Sequence, residues 1–424
     1  MEMRLGKTFV LLVWALSLLR RDDLKLVVAP SSVLYDWLNE LAIEGEQAVI
    51  LSGSSANKRL QLEAGIRTGV RWFLVNPEGL RAAPDLTYAA WRLVVLDEST
   101  FIANPKAKVT KIIQRAFRDV EFKAVLTGTP APEHDLQYFE QMRFLHGKFC
   151  GFKSYWSFRA HCWHQAGFEW YPNRGVKEMY TGELAEDAYV LSAKDAGIPD
   201  HRFYERRYVE LPGQLRRLYR KITEEYTLGD LMTRWALVAQ SWLAQVAGGC
   251  LPLDFRKEIH AAYSPHKFVE LERLLSTELR GKPVVIYFRF NRELRITAER
   301  LRKLGLKVVG FTGLNSSQER QLAADKFQAG DARILLAQGK AARFGKNFSR
   351  ASTAIFFSNW MDCLTRQQLE ARTRHPLKKE PALYIDLVTK GTVDEAAVMA
   401  LREKARNSYG LLRRIRELHG GLAG

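Results

Sequence analysis

Short apolar runs recur along this chain with room for one helix between each pair, and that alternation limits the fold more than any other feature. The first set falls at residues 25–30, 48–51, 72–76, 93–96 and 123–126, and the second at 282–288, 307–311, 333–337, 353–357 and 382–387. Each run is too short for a helix, and most read as continuous apolar segments, as expected of strands covered on both faces. Between them, helical spacing appears after the cap residues Ser31 and Ser32, again over 316–328, and in the helix expected from Phe268. The rhythm predicts an α/β fold with two doubly wound parallel sheets. Such sheets gather the loops at the carboxyl ends of their strands on one edge, where ligands bind.

The loops at those ends carry chemistry. Arg4-Leu5-Gly6-Lys7-Thr8 opens an apolar stretch that continues to Leu19. Read as a phosphate cradle, Gly6 lets backbone N–H groups approach a polyphosphate, Lys7 reaches its β and γ groups, and the Thr8 hydroxyl ligates Mg²⁺. The pattern G-x-x-x-x-G-K-[ST] also asks for a glycine where this chain has Met1. The same stretch imitates a secretory signal, but Arg20-Arg21-Asp22-Asp23 follows it without a small-x-small cleavage site. It is also shorter than the ~20 residues that span a bilayer, so a buried helix and no membrane association are expected.

Leu93-Val94-Val95-Leu96 delivers Asp97 and Glu98 to a strand end. One carboxylate there can hold Mg²⁺ while the next orients or deprotonates a water, the division of labour that phosphoanhydride hydrolysis needs. A solvated strand-end turn is the plainer alternative. Thr127-Gly128-Thr129-Pro130 forms a rigid turn after another strand, either a sensor of the γ-phosphate end or a simple βα connection.

Composition narrows the class. With 424 residues, 47% hydrophobic and 26% charged, the chain has material for two or three cored domains, which excludes a disordered protein. A net charge of +17 favours a polyanionic partner, nucleic acid most simply, although it also suits basic solvated faces. Cys150, Cys162, Cys250 and Cys363 are too few and too scattered for a disulfide framework, which fits a reducing cytoplasm. From Lys148 to Tyr171 aromatics crowd together, interleaved with Lys153 and Arg159. They read either as a small helical core or as a surface that grips nucleic acid. Cys150, His161, Cys162 and His164 match no usual zinc spacing.

Taken in order, these segments resemble the superfamily-two helicases, and within them the Swi/Snf-type ATPases that move on double-stranded DNA. Glu2-Met3-Arg4-Leu5-Gly6-Lys7-Thr8 matches the family's first motif with Arg4 in place of a glycine, and Val27-Val28-Ala29-Pro30 with Trp37 and Glu40 resembles the next. Asn76-Pro77-Glu78-Gly79-Leu80, Asp97-Glu98-Ser99 with its tail to Lys111, and Leu126 to Pro130 follow in the family's sequence. Thr312-Gly313, then Gly345-Lys346-Asn347-Phe348, and then Gln368 with Arg372 resemble the second lobe, where the usual second arginine falls on His375 and Arg374 lies one place early.

The resemblance implies two RecA-like lobes, at 1–146 and 264–424, the latter ending in a basic helix, with a mainly helical insertion at 147–263. It implies ATP with Mg²⁺ as cofactors, bound through Arg4, Leu5, Gly6, Lys7, Thr8, Gly345, Asn347 and Gln368, with Thr8 and Asp97 on the metal. Glu98 would polarise water, and Arg372 with Arg374 or His375 would neutralise the departing phosphoryl. Pro30, Thr127, Gly128, Thr129, Thr312 and Gly313 would couple turnover to the partner, double-stranded DNA. The composition suits a prokaryotic or phage protein with a protein loading partner of unknown identity. Family members place a strand and an adenine-reading glutamine segment before the first motif, where this chain has five residues before Gly6. An N-terminal truncation is therefore expected, leaving one edge of the first sheet without its strand and ATP held mainly through its phosphates. A DNA clamp without turnover and a strand-separating helicase are the alternatives.

Overall fold

The computed structural model describes residues 1–424 except 2–4, 167–168, 194, 198–200, 226, 229–230, 233–235, 251–264, 344–345, 361, 375–377, 379 and 404–424. It divides into two compact units, Met1–Gly197 and Ile198–Glu403. Segment 147–263 is thus shared between them.

The first unit runs α1 (Lys7–Leu18), β1 (Leu24–Val28), α2 (Leu34–Ile43), β2 (Ala48–Ile50), α3 (Ser55–Arg67), β3 (Trp72–Val75), α4 (Pro77–Ala82), β4 (Trp91–Asp97), α5 (Lys108–Ala116), β5 (Phe122–Leu126) and α6 (Tyr138–His146). Its strands form one five-stranded sheet in the order β2-β3-β1-β4-β5, every pair parallel. Side chains alternate across it, as the two-residue period of a strand requires. Leu26, Val28, Phe73, Val75, Val94 and Leu96 point into a core with Leu62 of α3, Ile113 of α5 and Phe144 of α6. Val27, Leu74, Leu93 and Val95 point the other way, onto Leu11, Leu12 and Ala15 of α1 and Leu34, Trp37 and Leu41 of α2. Both faces are covered, which is why the strands read as continuous apolar runs.

Two elements differ from the sequence reading. α1 is buried on one face only, and Phe9, Val10, Val13, Leu16 and Leu18 are exposed. α2 starts at Leu34 without a side-chain cap, because Val33 holds the cap position, while the Ser31 hydroxyl accepts from the Asn76 amide at 2.8 Å. Asn76 in turn caps α4, accepting the Gly79 N–H at 3.0 Å ahead of a proline at the first helical position.

The unit continues with α7 (Tyr155–Cys162), the antiparallel hairpin of β6 (Trp163–Ala166) and β7 (Glu169–Pro172), and α8 (Val176–Asp187). Phe149, Tyr155, Phe158, Cys162, Trp163, Tyr180 and Leu184 pack with Phe139 and Met142 of α6 into a separate small core. Most of the aromatic run is therefore core. Trp156 and Tyr171 remain exposed beside Arg159, whose guanidinium lies 4.8 Å from the Trp156 ring and 4.2 Å from Trp170. No zinc site forms among the described residues. His161 Nδ1 contacts the Ser157 carbonyl, His164 Nδ1 contacts Asn173, and burial pushes the Cys150 and Cys162 thiols up, away from the thiolate a metal needs.

The second unit contains β8 (Arg202–Val209), α9 (Gly213–Glu225), β9 (Thr227–Leu228), β10 (Leu231–Met232), α10 (Ala236–Ala247), α11 (His266–Ser276), β11 (Val284–Phe288), α12 (Asn291–Lys303), β12 (Val308–Phe311), α13 (Ser317–Ala329), β13 (Ile334–Gln338), α14 (Gly339–Ala342), β14 (Thr353–Phe356), α15 (Cys363–Thr373) and β15 (Ala382–Thr389). Its six-stranded sheet is parallel throughout, in the order β12-β13-β11-β14-β15-β8. The sequence reading of 202–209 as part of a helical insertion differs from this structure: these residues pair with β15 in continuous register from Arg202↔Ala382 to Val209↔Thr389. The charges Arg202, Glu205, Arg206 and Arg207 suit an edge strand and hide its strand character from an apolar-run search. Among the described residues no helix is long and apolar enough to cross a membrane.

Candidate active site

Strand order in the first sheet reverses between β1 and β4: the chain goes from β1 out to β3 and β2 on one side, then to β4 and β5 on the other. Carboxyl ends at such a reversal open a crevice between loops that run in opposite directions. Pro30 lies just beyond β1, Asp97 ends β4, and Thr127 follows β5, so the loops expected to carry function share one edge of the sheet.

The phosphate cradle begins with Gly6 in the left-handed region at φ +75°, where a side chain would be strained even though the space beside it is open. Gly6 caps α1, and its carbonyl accepts the Val10 N–H at 3.0 Å. The first-turn N–H groups of a helix have no intrahelical acceptor and so face an anion naturally. Lys7 and Thr8 occupy that turn, partly exposed, and the turn itself contains no acidic residue. Leu5 is also partly exposed, and Arg4 lies outside the described residues.

Asp97 is buried at the end of β4. One carboxylate oxygen accepts the Trp37 indole N–H at 2.8 Å and the other accepts the Glu98 backbone N–H at 2.9 Å. Burial pushes this carboxyl above the usual range, while the Trp37 hydrogen bond, the charge of Lys7 and the Glu98 N–H pull it back down. The influence of Lys7 places the end of the cradle and the strand-end carboxylate in one electrostatic neighbourhood. Glu98 itself sits at φ 51°, ψ 51°, a left-handed conformation that a non-glycine residue adopts at a cost.

Ser99, buried behind Glu98, donates to the Gln141 side-chain oxygen at 2.6 Å. The Gln141 amide donates to the Pro130 carbonyl at 2.7 Å and to the Gln137 carbonyl at 2.9 Å. Thr127 receives the Thr129 N–H on its hydroxyl at 3.0 Å, closing the turn around Gly128. Sequence reasoning missed Gln141, which looks like any polar position on α6 and carries no motif. It also gave Trp37 no task, although that residue was visible beside Glu40.

In the second unit, Gln368 and Arg372 share α15 one helical turn apart. Gln368 is fully buried, and neither of its amide atoms has a hydrogen-bond partner among the described residues. Arg372 donates to the Arg343 carbonyl at 2.9 Å, and its own carbonyl accepts from Phe348 N–H at 2.9 Å. Arg374 caps the helix in extended backbone. Asn347 is exposed and takes the Ser349 N–H at 2.9 Å. Thr312 follows β12 with its hydroxyl on Asn315 at 2.8 Å, and Gly313 beside it is exposed. Gly345 and His375 lie outside the described residues.

A brace holds α15. The buried Arg366 guanidinium pairs with Glu370 at 2.6 Å and Asp386 at 2.5 Å, reaches Asn359 at 2.8 Å, and stacks 3.4 Å from the centre of the Phe356 ring. Tyr204 from β8 donates to the second Glu370 oxygen at 2.9 Å.

Two domain families match this chain. The SNF2-related domain matches residues 1–166, and the helicase conserved C-terminal domain matches residues 266–375. The chain is 23% identical over 414 residues to the chromodomain-helicase-DNA-binding protein 1-like of Danio rerio, covering 93% of this chain and 40% of that protein. It is 21% identical over 423 residues to an uncharacterised ATP-dependent helicase of Mycoplasma pneumoniae, covering 95% and 39%. This chain therefore spans less than half the length of these relatives. Among solved structures, the Sulfolobus solfataricus SWI2/SNF2 ATPase core in complex with dsDNA is similar at a TM-score of 0.40 and 21% identity, over 98% of this chain and 89% of that one. In order along the chain, it therefore carries an SNF2-related domain and a helicase conserved C-terminal domain.

Proposed function

We propose that this chain hydrolyses ATP and that turnover drives it along double-stranded DNA. The observation that carries the reading is the meeting of Lys7, Asp97 and Glu98 at the β1/β4 reversal, with Asp97 locked by Trp37. The family matches support 1–146 and 264–424 as the two lobes, with 147–263 joining them.

The site suits Mg²⁺ with a nucleotide triphosphate. No group of three or more His, Cys, Asp or Glu side chains forms an all-protein cage among the described residues, and Mg²⁺ prefers one or two protein ligands completed by phosphate oxygens and water. Thr8 and Asp97 would hold the metal, and bound ATP would supply the phosphoanhydride that is cleaved. Lys7 and the first-turn N–H groups of α1 bind and orient the β and γ phosphates. Trp37 holds the Asp97 carboxylate in one rotamer. Glu98, held in a left-handed backbone conformation, accepts the proton of the attacking water. For the second unit the reading assigns Arg372, with Arg374 or His375, to phosphoryl charge, and Gln368 and Asn347 to nucleotide binding.

The +17 charge supports a polyanionic track, and contacts to phosphates from Pro30, Thr127 to Thr129, Thr312 and Gly313 carry no base information, so the chain reads DNA without sequence preference. A cytoplasmic setting fits the same reading. Glu98→Gln keeps shape and removes the base, so ATP and duplex binding persist while DNA-stimulated phosphate release falls by at least 100-fold. Turnover within twofold of the parent would overturn the assignment.

A further inference from the structure

Hydrolysis at Asp97 and Glu98 has to be felt by the loop after β5 if turnover is to move anything. One side chain hydrogen-bonds both to the residue after the carboxylate pair and to that loop: Gln141, in the middle of α6, nearly fully buried at 2% exposure. Its oxygen takes the Ser99 hydroxyl, immediately after the carboxylate pair, and its nitrogen gives to the Pro130 carbonyl, at the end of the Thr127–Gly128–Thr129 turn. The third bond, to the Gln137 carbonyl one turn back, sets the amide's orientation, because exchanging oxygen and nitrogen would lose both bonds to carbonyls. Primary amides make two donor and two acceptor contacts at most, and here both donors and one acceptor are used inside the protein.

The two ends of this bridge are unequal. At the carboxylate end, Ser99 is fully buried and packed, and Glu98 holds a costly left-handed conformation that the surroundings must enforce. At the loop end, the Thr129 hydroxyl is buried without a hydrogen-bond partner among the described residues, so the loop has an unspent polar group in its present position. Through this amide, a shift of Ser99 would reach Pro130 by two hydrogen bonds. The support beneath is rigid. Glu140, next to Gln141, is held by Gln114 at 2.9 Å and Arg143 at 2.8 Å, while Phe144 lies in the sheet core and Phe139 and Met142 lie in the aromatic core.

We infer that Gln141 is a positioning residue that ties the Asp97–Glu98 turn to the Thr127–Pro130 loop, and that α6 carries the same displacement into the aromatic core formed with α7 and α8. The inference rests on the function proposed above, and its test separates the two. Gln141→Leu keeps the volume and removes all three hydrogen bonds, Gln141→Glu keeps the acceptor for Ser99 and removes the donors, and Ser99→Ala cuts the other end. In full-length protein with Mg·ATP, the expected result is that the ratio of DNA-stimulated to unstimulated turnover falls at least fivefold in all three variants, while unstimulated turnover and the KM for ATP stay within twofold. Hydrogen exchange without nucleotide gives a readout independent of activity: Gln141→Leu speeds exchange of amides in both 98–102 and 127–131, with 24–28 and 72–75 unchanged. An unaltered stimulation ratio with unaltered exchange in both segments would overturn the inference. So would a parallel loss of stimulated and unstimulated turnover with exchange raised throughout the sheet, which marks general destabilisation. Absence of any ATP turnover in the parent chain would overturn the proposed function instead, and the exchange result would still decide whether the bridge exists.

Discussion

At the scale of single residues, the second unit holds a buried carboxyl whose titration has a measurable consequence. Glu293 on α12 is fully buried, accepts the Ser358 hydroxyl at 2.5 Å on one oxygen, and has no hydrogen-bond partner for the other among the described residues. Nearby, Lys267 is already committed to Asp394 at 2.6 Å and to the Phe357 carbonyl at 2.7 Å. Burial raises Glu293 from 4.5 to about 7, against the pull of Ser358 and Lys267, with Asp394 adding to the rise. Because the folded value lies above the unfolded one, the native state keeps a proton that the unfolded chain has released. Stability is therefore lost as pH rises from about 4.5 to about 7, by roughly 3 kcal/mol from this group, and is level above. Glu293→Gln removes that slope, so urea midpoints for the variant and the parent converge near pH 5 and separate in the variant's favour by pH 8. A constant difference across that range would mean Glu293 keeps its ordinary affinity for protons.

Elements are held by caps and close approaches that the sequence shows only in part. Ser316 and Glu319 form a full capping box at the start of α13, a pattern visible from residue types alone. Gly339, the first residue of α14, is different. An added Cβ there would overlap the six-membered ring of Trp360, which is buried in the core with Phe348, Leu369 and Tyr384. Since that ring has no open space to enter, Gly339→Ala costs about 1–3 kcal/mol by overpacking. The same change at Gly182, with nothing nearby in the middle of α8, stabilises slightly, by up to about 1 kcal/mol. Paired denaturation curves check both signs in one experiment, and a milder effect at Gly339 than at Gly182 would contradict the packing argument.

For the molecule as a whole, charge is the property that the individual elements do not show. With 64 basic against 47 acidic residues, the proposed binding to duplex DNA would release counterions from several phosphates. Affinity for a random-sequence duplex should fall by at least tenfold between 50 and 200 mM salt, with little change when the sequence is scrambled. A flat plot of log affinity against log salt would mean that the surplus charge serves another purpose. Both sheets are wholly parallel, so each needs helices on both faces, and the two covered faces of each account for the four main clusters of buried side chains.

Read alone, the chain determined the strand runs and the helices between them, and it singled out Gly6 to Thr8 and Asp97–Glu98 as candidates, because each of these is written locally. A buried parallel strand is an unbroken apolar run, and a phosphate loop needs Gly, Lys and a hydroxyl in succession. The edge strand β8 escaped notice since its charges interrupt the apolar signal. What only the tertiary structure decided were the polar pairings between distant positions: Trp37 with Asp97, Gln141 between Ser99 and Pro130, and Arg366 with Asp386. A buried donor is compelled to find an acceptor, yet nothing in its neighbours along the chain says which one, because burial and proximity arise only once the sheets and helices have packed.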